Sequence, residues 1–140
     1  MNSIKKSCIL LLLILLTVGL KARQPERPEP DMAATSIGMV ITTNDTETLW
    51  NALRLANYAR EEGDTVTIFL LGKGVELDDL IKSEKHLSEQ SEGFLENGGV
   101  IMGCGTCLQS RKKNEPQVCS LSTMGDLYAI IRSHSIVITF

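Results

Sequence analysis

Apolar positions follow two rhythms along this chain, and the switch between them predicts strands alternating with helices. Ile37, Met39, Val40 and Ile41 form a short apolar run closed by Thr42, Thr43, Asn44 and Asp45, which reads as a buried strand followed by a helix cap. From Glu47 to Glu62 the spacing changes. Leu49, Trp50, Leu53, Leu55, Ala56 and Ala59 recur at helical intervals, with Arg54, Arg60, Glu61 and Glu62 among the intervening positions and Gly63 as the stop. The run Val66 to Leu71 is again continuous, β-branched and of strand length, and Gly72 ends it. Strand, helix and strand joined by short connections make the βαβ unit of a parallel sheet.

The pattern continues with a weaker helical stretch from Val75 to about Glu84 and a more polar helix from His86 to Glu96, and Gly98-Gly99 then resets the chain. Val100, Ile101 and Met102 predict a third strand, and a short helix is expected over Thr106 to Lys113. A turn with Pro116 follows, with a brief strand at Val118. Thr123 to Ser133 is expected as a helix with Leu127, Ile130 and Ile131 as its apolar face, and Ile136 to Phe140 as the last strand. The fold class expected is α/β, a small, mostly parallel sheet of four or five strands flanked by helices in a flavodoxin-like or Rossmann-like layout.

The first residues follow neither rhythm. Lys5 and Lys6 precede an unbroken apolar run from Ile9 to Leu16, the layout of a secretory leader, expected over residues 1–22. The stretch from Cys8 to Leu20 is ~13 residues, short of the ~20 that a spanning helix needs. Left uncleaved, the segment would be a membrane anchor. RQPERPEPD, from Arg23 to Asp31, alternates prolines with charges and offers nothing to bury, so residues 23–35 are expected as a linker and the folded domain as 36–140. The expected location is therefore periplasmic or secreted.

At 140 residues one domain is expected, and the −3 formal charge, with no basic stripe, excludes a nucleic-acid partner. Export changes the meaning of the cysteines, because disulfides persist in an oxidising compartment. Without Cys8, the mature chain keeps Cys104, Cys107 and Cys119, an odd number, so at least one thiol is free, liganded, modified or paired elsewhere.

Chemistry concentrates in Cys104-Gly105-Thr106-Cys107. Reactive groups in open parallel sheets lie beyond the carboxyl ends of the strands, where the following helices point their N-termini. Cys104 holds that position after the third strand, where unpaired amides and the helix dipole favour its thiolate. Arg111, Lys112 and Lys113 add positive charge, and Gly103 and Gly105 are expected to leave the sulfur open. Cys104 is thus the expected nucleophile and Cys107 the resolving thiol, with Gly103, Gly105 and Thr106 as the supporting loop and helix start. A structural disulfide is one alternative. A zinc site completed by Cys119 and His134 or His86 is another, although no metal or cofactor is expected. Thiol-disulfide oxidoreductase activity is a third, Cys-Gly-x-Cys resembling disulfide isomerase motifs. Gly72-Lys73-Gly74 is read as a turn, Asn44 and Asp45 as helix caps, His86 as the start of a solvated helix, His134 as a capping or surface group, and Trp50 as core or subunit interface.

The order of elements, with GVIMGCGTCLQSR, STMGDLYAII and the closing SIVITF, resembles the DsrE/DsrF-like family, which includes the sulfur-relay subunits of the DsrEFH and TusBCD type, over Ser36 to Phe140. The resemblance implies a small parallel α/β sandwich that assembles as homo- or hetero-oligomers, with Cys104 at the position that carries a persulfide, making the protein a sulfurtransferase or sulfur carrier. Partners would be a sulfur donor or acceptor protein or a small thiol. Attack of Cys107 on a Cys104 persulfide would release sulfide and leave a disulfide. The contrasting expectation is a non-catalytic oligomeric binding module with structural cysteines.

Overall fold

The computed structural model describes residues 33–140, so the expected leader 1–22, and the 23–35 linker apart from 33–35, lie outside the described residues. Five strands, β1 (Ser36–Ile41), β2 (Thr65–Leu70), β3 (Val100–Cys104), β4 (Ser120–Ser122) and β5 (Ile136–Thr139), form one sheet in the order β4-β3-β2-β1-β5. Every pairing is parallel, with Ile41 beside Leu70, Leu70 beside Gly103 and Cys104 beside Ser122 at the carboxyl edge.

The helices are α1 (Thr46–Glu61), α2 (Leu77–Leu80), α3 (Lys85–Glu96), α4 (Gly105–Ser110) and α5 (Met124–Ser133). α1 starts where Asp45 accepts the Thr48 N–H at 2.8 Å, and it gives way to Gly63, whose φ of +93° favours glycine. Leu49, Ala52, Leu53, Ala56 and Ala59 form its buried stripe, and the helix packs beside α3. Leu55 was expected on that stripe but is exposed, because its position on the helical wheel falls outside the arc these residues define. On the other face of the sheet, α5 sets Ile130 against Gly38, and His134 bonds Thr67 at 3.1 Å. Cover on both faces accounts for the continuous apolar runs of β1 and β2.

Two expected elements take other forms. Val75 to Glu84 is not one helix: a tight 3₁₀ turn spans Gly72–Glu76 and α2 is a single turn. Gly74 lies against the Ile41 carbonyl, where a Cβ would overlap the oxygen, so the chain must descend over the end of β1 before it can coil. The brief strand expected at Val118 forms instead at Ser120–Ser122. The N–H groups of Gln117 and Val118 are taken by Oδ1 of the buried Asp78, at 2.5 and 3.0 Å, and pairing with β3 begins only beyond them.

The core is continuous, and Phe94 of α3 is among its largest fully buried side chains, its ring filling the space beside Gly99. Phe94→Ala should therefore lower the unfolding free energy by ~3–5 kcal/mol, read from urea denaturation. A loss below about 1 kcal/mol would contradict this packing.

Candidate functional site

The two thiols of the Cys-x-x-Cys segment share one turn of chain. Cys104 is the last residue of β3 and the N-cap of α4, and Cys107 is the third residue inside that helix. An N-cap side chain and the third helical residue lie against each other, as in a capping box. All three described cysteines are free. Cys104 is only 3% exposed, whereas Cys107 is half-buried.

Three segments converge on Cys107. The turn after β2 places the Gly72 N–H 3.3 Å from its sulfur, donating to it, and Gly72 holds the left-handed φ of +58°. The Cys107 carbonyl accepts from Ser110 Oγ at 2.8 Å and from Arg111 Nη1 at 3.2 Å. Arg111 Nε donates to Glu76 Oε1 at 2.9 Å, and Asn44 Nδ2 donates to Glu76 Oε2 at 2.8 Å. Glu76 thus joins the loop after β1, the turn after β2 and the end of α4.

Burial is the largest influence on the Cys107 thiol and pushes it above its ordinary value, and the neighbouring Cys104 sulfur pushes the same way. The Gly72 N–H and the Arg111 guanidinium oppose this. Arg111, followed by Asn44, holds the Glu76 carboxyl below the usual carboxylate range. Cys119 is pushed up to about 11, chiefly by burial and then by the Asp78 carboxylate.

Two of the three expected positive charges are balanced locally: Arg111 pairs with Glu76, and Lys113 with Asp79. Gly103 and Gly105 do not open a path to the Cys104 sulfur. A Cβ on Gly103 would lie 2.7 Å from Cys119 Sγ and 3.0 Å from Leu108 Cδ1, and one on Gly105 would meet the Ser122 carbonyl at 3.3 Å. These glycines permit close packing around the turn. Thr106 is exposed in the first turn of α4.

The zinc set is not assembled. His86 lies edge-on to Trp50, with ring centroids 6.1 Å apart, and His134 bonds Thr67 and the Ile130 carbonyl on the α5 face. Among the described residues no group of three or more His, Cys, Asp or Glu side chains is placed to hold a metal ion. Trp50 is half-buried, with the Arg54 guanidinium 4.5 Å over its ring. The shallow groove lined by Asn51, Arg54, Tyr58, Glu61 and Gln90 lies along the outer side of α1 and includes neither cysteine.

Glu76 and Asn44 went unread as site residues in the sequence. Asn44 reads as a helix cap, a role that Asp45 performs, and Glu76 falls within a stretch expected to be plain helix. Their only sequence signal is position: both follow strands that end at the same edge of the sheet as β3.

Fold and site together define a small parallel α/β protein that carries a dithiol at the carboxyl edge of its third strand. The chain matches the DsrE/DsrF-like family over residues 35–140 and belongs to it, which ties it to sulfur-relay-related function. It is 35% identical over 103 residues to the uncharacterized protein MJ0989 of Methanocaldococcus jannaschii, covering 67% of this chain and 88% of that one. The fold is similar to that of BT1422, a conserved Bacteroides thetaiotaomicron protein of unknown function, with a TM-score of 0.64 and 17% identity over 76% of this chain and 95% of the other.

Glu76→Gln would keep the bond to Asn44 but leave the Arg111 charge unbalanced beside Cys107. That charge favours the thiolate, so the Cys107 pKa should fall and its alkylation at pH 8 should quicken by roughly threefold. Rates of iodoacetamide labelling across pH check this. An unchanged or slower rate would show that the Glu76 charge does not reach the sulfur.

Proposed function

We propose that this protein handles sulfane sulfur through the Cys104 and Cys107 pair. One thiol takes sulfur from a persulfide donor R-S-SH and the other resolves the protein persulfide. In sum, R-S-SH and two protein thiols yield R-SH, hydrogen sulfide and a Cys104 to Cys107 disulfide. The transferred sulfur gains two electrons and the two cysteines lose them; an external thiol then reduces the disulfide. The observation that carries this reading is the placement of the two sulfurs at the N-cap and third position of α4, beside the Gly72 N–H. Family membership supports sulfur over other thiol substrates.

The basic and apolar pattern of residues 1–22 supports export, where a persulfide-consuming dithiol would depend on a periplasmic or extracytoplasmic reductant. Homo- or hetero-oligomeric assembly is proposed from the family resemblance, with the sulfur donor or acceptor a protein or small thiol. Among the described residues no helix is long and apolar enough to cross a membrane, so the proposed membrane attachment is limited to an uncleaved leader.

Glutathione persulfide supplied to the reduced full chain, without other reductant, should release about one sulfide per chain, the stoichiometry of a single dithiol. The Cys104→Ser/Cys107→Ser double variant should lose this release by at least about tenfold. Reduction of glutathione disulfide with no sulfide released from the persulfide would favour the oxidoreductase alternative. Inertness toward both, with wild type and double variant alike, would favour a binding module with structural cysteines.

A further inference from the structure

The two thiols differ in burial in a way that bears on the order in which they act. Cys104 is 3% exposed, at the point where β3 runs into α4 and opposite Ser122 of β4. Cys107 is half-buried and reaches the surface beside the Gly72 turn. A thiolate that attacks a persulfide needs the donor in line, with the donor's organic group on the far side of the reacting sulfur. A peptide-sized donor has no room to align on a sulfur as enclosed as that of Cys104. The second step has no such requirement, because attack by one protein thiol on the other's persulfide is intramolecular and needs only contact.

We infer that Cys107 is the sulfur that meets the incoming donor and Cys104 the internal thiol that resolves it, an assignment that rests on the sulfur-handling reading and reverses the order expected from sequence. In the first step the Cys107 thiolate attacks the terminal sulfur of R-S-SH. A new S–S bond forms on Cys107, the donor S–S bond breaks, and R-S⁻ leaves to take up a proton. In the second step the Cys104 thiolate attacks Cys107 Sγ. The disulfide forms and HS⁻ leaves, so sulfide carries away the electrons that the two cysteines lose. Burial of Cys104 then has a use, since a resolving thiol out of contact with solvent escapes adventitious oxidation.

The Gly72 N–H fits the first role. It points at the sulfur that must carry negative charge before attack on the donor. The net upward push on the Cys107 thiol adds a signature. Over the range in which the thiol is mostly protonated, its reaction rate should rise by about tenfold per pH unit.

The test uses full-length Cys104→Ser and Cys107→Ser chains, with the matching alanine variants as a second set and thermal melting to confirm that each folds. Iodoacetamide labelling tests access alone, and glutathione persulfide followed by mass spectrometry tests sulfur uptake. Cys107 in the Cys104→Ser chain should label at least tenfold faster than Cys104 in the Cys107→Ser chain, and should hold one added sulfur that it cannot discharge. Equal or faster labelling and loading of Cys104 in the Cys107→Ser chain would overturn the assignment, as would an added sulfur found only on Cys119. If no chain takes up sulfur, wild type included, while Cys107 still labels first, the order of access stands and the sulfur-handling reading is the one that fails.

Discussion

The whole carboxyl edge of this sheet is arranged around one close approach, that of Gly74 to the Ile41 carbonyl at the end of β1. A side chain at residue 74 would occupy the place of the oxygen, so only glycine lets the turn after β2 fold down over the neighbouring strand. Gly72 is thereby aimed at Cys107, and Glu76 comes within reach of both Asn44 and Arg111. The Leu71 N–H closes the same junction by donating to the Ile41 carbonyl at 2.9 Å. The thiols sit within this arrangement, Cys104 in the buried core and Cys107 accepting from the Gly72 N–H. They occupy a position that backbone packing between β1 and the β2 turn has already built.

Electrostatics at the edge follows from that geometry. A basic run in sequence suggests a cationic environment for a thiolate, but Arg111 and Lys113 each lie against a carboxylate, and α4 has only six residues with which to build a dipole. Such partly exposed pairs contribute little to stability, of the order of 1 kcal/mol or less. Their effect on placement is larger. Glu76 accepts from a residue that follows β1 and from a residue that follows α4, which ties the helix carrying Cys107 to the strand ends. What remains as a local influence favouring a Cys107 thiolate is one backbone N–H and a guanidinium whose charge is already shared.

How much of this was legible in the sequence depends on the range of the interactions involved. Elements set by periodicity and local stops were readable: β1, β2 and β3 as continuous apolar runs, α1 between Asp45 and Gly63, and α5 from the helical spacing of Leu127, Ile130 and Ile131. The cysteine segment stood out because its chemistry is written in consecutive residues. Contacts between loops left no such trace. Asp78 draws the Gln117 and Val118 N–H groups away from any strand pairing across about forty positions, and nothing in the local sequence of either segment announces the other. The exposure of the thiols is not legible for a related reason. Gly103 and Gly105 suggest open space when read along the chain, yet in the fold their missing side chains are what allow Leu108, Cys119 and the Ser122 carbonyl to crowd in.

The odd third cysteine can be placed by the same reasoning. Successive residues of a strand face opposite sides of the sheet, so Cys104 and Gly103 point apart. The space above Gly103 belongs to Cys119 Sγ and Leu108, which puts the Cys119 sulfur on the face opposite to that of Cys104. The sheet therefore lies between the two sulfurs, and disulfide exchange between them would require β3 or its loop to come apart. With its thiol pushed up to about 11, chiefly by burial, Cys119 is also a poor nucleophile at any ordinary pH. It packs as a small apolar group against Gly103, and the three described thiols resolve into one adjacent pair and one separate core residue.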